Sequence, residues 1–193
     1  MTTFEAVYLS RHGQTQWNVD GRKQGRLDSP LTSLGRAQAN RNAAVLSREL
    51  VDAVYTSPLA RARTTAEVLA TALELPVRVL DELSEVDHGD WSGLTNAEVE
   101  AGWPGQLAVR QREKYGYRFP GGESYADADL RAGHALAEIA RSRARRPLVV
   151  SHEMLGRMLL KQLGVEDALG RSHPSGVVYR VTIGDEGIVV ETV

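Results

Sequence analysis

At 193 residues the chain reads as a single compact domain, 1–193, long enough to bury a sizeable core. Its 42% hydrophobic and 25% charged residues exclude a disordered or fibrous chain, and cysteine is absent, which rules out disulfides and thiolate chemistry and fits a reducing cytoplasm. The net charge of -2, from 23 basic and 25 acidic side chains, leaves no overall positive field for nucleic acid or an anionic membrane, so any anion must be captured locally.

The opening Met1 to Glu5 lacks the basic and then apolar pattern of a secretory signal. No apolar stretch approaches the ~20 residues needed to span a bilayer. Both readings place the protein in the cytoplasm, without a membrane partner. Ala6 to Ser10 is a short apolar run that stops at Arg11-His12-Gly13, as a buried strand ending in a loop would. Helical spacing follows from Leu34 to Leu50, with Thr32 or Ser33 as N-cap. Asp52 to Thr56 is the next strand, and Ser57-Pro58 opens a second helix that runs to about Leu73. Leu75-Pro76 breaks that helix, and Val77 to Leu80 is a third strand.

From Glu82 to about Glu123 the periodicity weakens and Gly and Trp accumulate, which suits a cap inserted over a site. A helix from Tyr125 to Arg143 leads to Pro147 to Val150, whose unbroken apolar character fits a central parallel strand. That strand ends at Ser151-His152. Helical spacing returns from Met154 to Leu163. Gly176 to Ile183 and Ile188 to Thr192 form a closing hairpin around Gly184-Asp185-Glu186-Gly187. The alternation predicts an α/β fold: a three-layer α/β/α sandwich around a mostly parallel sheet, with a small irregular or helical cap.

Three predicted strands hand over, at their C-terminal ends, to Arg11-His12, to Ser57-Pro58 with Arg61 one helical turn later, and to Ser151-His152. In an open α/β sheet that edge is where ligands bind, so two arginines and two histidines would share one crevice. Guanidinium groups grip phosphate oxygens in a bidentate fashion, and the helix N-termini after Ser57 and His152 would add N–H donors. One imidazole would attack phosphorus while the other, protonated, stabilises the charge on the oxygens, with no metal required.

The segment Leu9 to Asn18, Leu-Ser-Arg-His-Gly-Gln-Thr-Gln-Trp-Asn, is similar to the Arg-His-Gly motif of the histidine phosphatases, the phosphoglycerate mutase-like superfamily. Gln24 to Thr32, Gly35, Gln38-Ala39, Ser57 to Ala62 with Thr64-Thr65-Ala66, and Leu83, Glu85, Gly89, Trp91, Gly93 and Leu94 continue the resemblance. Pro120 to Ser124 and Val150-Ser151-His152 complete it in the expected order. One Arg-His-Gly triplet alone is a weak signal; the ordered set covers most of the chain.

The resemblance implies that His12 becomes a phosphohistidine, that Arg11, Arg61 and His152 hold the phosphoryl group with Asn18 as a further contact, and that Glu85 protonates the leaving oxygen and then activates water. Gly25 would let the backbone approach the substrate. No cofactor and no metal site are implied. The partner is a small phosphorylated metabolite; a homo-oligomer is left open.

Bland roles fit most other conspicuous residues. Trp17 and Trp91 read as packing, His134 as structural or solvent-facing, and His173 as a loop residue with a place at the pocket rim left open. Asp87 and Asp90 compete with Glu85 for the acid role. Where the resembling mutases grip a carboxylate with Tyr and Lys, this chain has His88 and Asn96, which favours a phosphatase over a mutase. A catalytically silent binding relative is the third reading. Arg110, Arg112, Lys114 and Arg118 offer cations for a second anionic group. Glu153 stands where many relatives have glycine; a carboxylate there would weaken phosphate binding or select a substrate that carries a cation.

Overall fold

A computed structural model describes residues 4–184 and 187–193. The strands are β1 (Ala6–Arg11), β2 (Ala53–Thr56), β3 (Val77–Val79), β4 (Pro147–Ser151), β5 (Val178–Gly184) and β6 (Gly187–Thr192), in the sheet order β3-β2-β4-β1-β5-β6. β3, β2, β4 and β1 run parallel, while β5 is antiparallel to β1 and β6 to β5. The expected closing hairpin is present; Asp185 and Glu186, at the centre of its expected turn, lie outside the described residues.

The helices are α1 (Gln16–Val19), α2 (Ser33–Leu46), α3 (Ala60–Leu73), α4 (Asn96–Gly102), α5 (Gln106–Arg112), α6 (Tyr125–Arg141) and α7 (Glu153–Gln162). Successive residues of a strand face opposite sides, and the two cores separate accordingly. Val7, Leu9, Tyr55 and Val149 pack with α6, α7 and Trp91; Ala6, Tyr8, Val54, Leu148 and Val150 pack with α2 and α3. This is the expected three-layer sandwich. Among the described residues no helix is long and apolar enough to cross a membrane.

Helix α7 shows how sequence becomes packing: Leu155, Met158 and Leu159 recur at helical spacing, and each is fully buried. Each such burial contributes about 1.5–3 kcal/mol. Helix α2 is capped by Thr32, one of its two candidate residues, and α6 by Ser124, in a capping box with Asp127. Other boundaries differ. α2 stops at Leu46, the last residue of its buried face, because Leu50 finds no core and stays exposed. α3 starts at Ala60 rather than at Ser57-Pro58, since Leu59 is still extended and carries no local cap. α1 was not expected. The region expected as a cap, 82–123, holds α4 and α5, both short, with 3-10 turns at Asp81–Leu83, across its start, and at Gly89–Trp91.

Candidate active site

The parallel strands β1 and β2 flank β4, so their C-terminal ends lie side by side. Arg11 closes β1, His12 follows it, and the His12 N–H donates to the Ser151 carbonyl at 3.1 Å. His152 is the residue at which β4 turns into α7. Arg61 projects from the first turn of α3. Arg11, His12, Asn18, Gly25, Arg61 and Glu85 line one cavity of about 150 Å³. His152 lies beneath it, fully buried, with its ring centroid 5.3 Å from that of His12. All seven residues singled out for the site in the sequence are therefore together. A hollow of about 360 Å³ behind Arg61 contains none of the histidines.

The His12 ring is fixed from both sides. Nδ1 lies 2.8 Å from the Gly13 carbonyl, which can only accept, so the proton sits on Nδ1. The lone pair is then on Nε2, where Arg61 Nε donates at 3.3 Å. Burial, with Arg61 and Arg11 adding to it, holds His12 well below the usual histidine pKa. A neutral imidazole unprotonated at Nε2 is the form that attacks an electrophile, once an incoming group displaces the Arg61 contact.

His152 is shifted in the same direction, first by burial and then by Arg61 and His12. That direction follows from burial and the protein's own charges, whereas the expected imidazolium is the form that faces a phosphoryl group, whose negative charge favours protonation. Both its ring nitrogens and Arg11 Nε are buried without a protein partner among the described residues. Buried polar atoms are normally satisfied, and these belong to two residues of the candidate site.

Arg61 is held by three acceptors: the Leu27 carbonyl (2.7 Å), the Gly25 carbonyl (2.8 Å) and Asp28 Oδ1 (2.8 Å). Asp28 also accepts the backbone N–H of Ala60 (2.8 Å) and Arg61 (3.3 Å). Glu85 does the same at the other helix, accepting Met154 N–H (3.2 Å) and Leu155 N–H (3.0 Å) in addition to Val86 N–H (2.9 Å). The expectation of N–H donors from these helix N-termini is thereby narrowed. The N–H groups of Ala60 and Arg61 in α3 and of Met154 and Leu155 in α7 are taken by carboxylates, so these four donors are not open to an anion.

Asn18 lines the cavity, but its Oδ1 accepts from Thr15 N–H and Thr15 Oγ, both at 3.0 Å, within a capping box. Only its amide N–H is left for a ligand. Gly25 adopts φ +52°, and a Cβ there would lie 2.9 Å from both His88 N and Ser92 Oγ. Glycine is thus needed for packing against the cap as well as for any approach to substrate.

Residues with bland expected roles also contribute. His173 is buried against Tyr179, and its carbonyl accepts Arg11 Nη1 at 3.2 Å. His88 lines the cavity, packs on Phe119 and approaches Met154 Sδ at 3.1 Å; burial, with Arg110 and Lys23, lowers its pKa to about 3. Asp87 caps Gly89 N–H and Asp90 lies against Gly121; neither lines the cavity. Lys23 bonds Asn96 and borders an adjoining space with Arg110, which stacks on Phe119 and Tyr125. Arg118 is paired with Asp127 instead. Asp28 and Lys23 were not singled out in the sequence.

Glu153 faces the same cavity. Its Oε2 pairs with Arg11 Nη1 and its Oε1 with Arg157 Nη2, each at 2.8 Å.

Residues 7–193 match the model of the histidine phosphatase superfamily (branch 1). The chain is 39% identical over 162 residues to phosphoserine phosphatase 1 of Hydrogenobacter thermophilus, covering 83% of this chain and 77% of that one. It superposes on mycobacterial glucosyl-3-phosphoglycerate phosphatase complexed with VO3 with a TM-score of 0.84 at 31% identity, covering 98% of this chain and 97% of that one. For the α-ribazole phosphatase of Shigella flexneri the TM-score is 0.83 at 25% identity, covering 97% and 95%. A match that spans the sheet, the cap and every strand end bearing the convergent arginines and histidines shows that the chain belongs to the histidine phosphatase superfamily.

Proposed function

We propose that the protein is a metal-independent phosphomonoesterase that hydrolyses a small phosphorylated metabolite through a phosphohistidine at His12. The observation that carries this reading is the placement of His12, its Nδ1 held by the Gly13 carbonyl and its Nε2 turned to Arg61, in a cavity shared with Arg11 and Glu85. His12 Nε2 attacks phosphorus as the bond to the ester oxygen breaks, and Glu85 gives that oxygen a proton. Water then attacks the phosphohistidine and returns a proton to Glu85, which frees orthophosphate and neutral His12. Arg11, Arg61 and His152, with the Asn18 amide, meet the charge spread over the phosphoryl oxygens, so no step calls for a metal.

Three relatives that carry the name phosphatase support the hydrolytic reading. The test is labelling with a phosphomonoester radioactive in its phosphoryl group, with a chelator present. The parent protein takes up acid-labile label, while His12→Ala takes up none and loses turnover by on the order of a thousandfold or more. Label or turnover surviving in His12→Ala would sink the reading. Release of free phosphate from 3-phosphoglycerate, rather than formation of 2-phosphoglycerate, separates it from a mutase.

A further inference from the structure

Glu153 places a fixed negative charge where a phosphate-binding cavity would be expected to carry none. It is the first residue of α7 and is anchored on both oxygens, by Arg11 and by Arg157, so it is not free to swing away. A carboxylate offers about four acceptor directions, and these two pairs use one on each oxygen. Its side chain remains about one-third exposed, at 35%, and it borders the cavity. The other carboxylate there, Glu85, already accepts three backbone N–H groups, two on Oε1 and one on Oε2.

A phosphoryl group held by Arg11 must share that guanidinium with Glu153, and the two anions repel across it. A cation on the substrate close to the ester oxygen removes the conflict. An ammonium has three donors and would find the open acceptor directions of Glu153 while offsetting the phosphate charge. Resting on the phosphatase reading above, we infer that Glu153 is a specificity residue for an amine: the substrate class is the phosphomonoester of a small amino alcohol, with the ammonium a short spacer from the ester oxygen.

The test uses phosphoethanolamine and ethylene glycol monophosphate, which differ only in ammonium against hydroxyl. The parent protein should favour phosphoethanolamine in kcat/KM by about tenfold or more, the scale of one hydrogen bond to a charged group. In Glu153→Gln, which keeps the shape and removes the charge, that preference should shrink to about twofold or less, and Glu153→Gly should behave alike. Equal use of both esters by the parent, or a preference that survives in both variants, would overturn the inference. Calorimetric binding of the same two esters to His12→Asn keeps the two ideas apart. Amine preference in binding without turnover in the parent refutes the phosphatase reading alone; turnover without preference refutes the Glu153 inference alone.

Discussion

Replacing Asp28 by Asn removes a charge that does two jobs at once. Its carboxylate caps the first N–H groups of α3 and pairs with the buried Arg61, whose side chain is 1% exposed against 33% for Asp28. Breaking one side of a fully buried ion pair costs about 3–5 kcal/mol, whereas an exposed pair contributes ~0–1 kcal/mol. Asp28 is partly wet, and Arg61 keeps the Leu27 and Gly25 carbonyls, so the pair falls between these limits at about 2 kcal/mol. Loss of an anion from the helix N-terminus adds about 0.3–1 kcal/mol. With a urea m-value of about 1–3 kcal/mol/M, the unfolding midpoint should fall by roughly 1 M. Arg61 would also exchange a charged acceptor for a neutral amide oxygen among the three that aim it at His12, so the inhibition constant for orthovanadate should rise about tenfold. A midpoint within roughly 0.2 M of the parent, together with unchanged vanadate inhibition, would show that Asp28 neither caps α3 nor aims Arg61.

Two further outcomes follow from burial. His88 and His173 titrate at about 3 and about 4 in the folded chain against 6.5 unfolded, chiefly because burial disfavours their charged forms. Below pH 6.5 the unfolded chain therefore binds protons that the folded chain refuses. Stability is whole above that pH and declines as pH falls toward 4, each histidine removing about 1.4 kcal/mol per pH unit. Urea midpoints at pH 7 and pH 5 measure this, and equal midpoints would contradict it. Gly89 adopts φ +50°, and a Cβ there would meet the Pro120 carbonyl oxygen at 2.0 Å, so Gly89→Ala should cost about 2–4 kcal/mol. Gly102→Ala, with nothing within 4 Å, serves as the control in the same thermal melts; matching losses in the two variants would refute the steric account.

What could be read from the sequence was local or periodic. The strands announced themselves as apolar runs, α2 and α6 by their caps on Thr32 and Ser124, and the site by polar residues standing where those runs end. The start of α3 was not readable, because its cap comes from Asp28, 32 residues before Ala60, and no pattern around Ser57 encodes it. The same holds for Lys23, whose partner Asn96 is 73 positions away. Helices α4 and α5 are seven residues each, too short for a periodic signal. Yet Thr95-Asn96-Ala97-Glu98 carries the spacing of a capping box, which the structure shows formed, and it marks the start of α4. The neutrality of His152 depends on burial beside two guanidiniums, a property of the assembled site rather than of any segment.

The sealing of α3 and α7 by Asp28 and Glu85 bears on how such a pocket changes over generations. A cradle of main-chain donors survives almost any replacement of side chains, because its groups belong to every residue. In the proposed mechanism the grip on the anion is written mainly in Arg11, Arg61 and His152, each of which a single codon can alter. Activity in this scaffold is accordingly easy to retune and easy to extinguish, while the sheet that carries it stays intact.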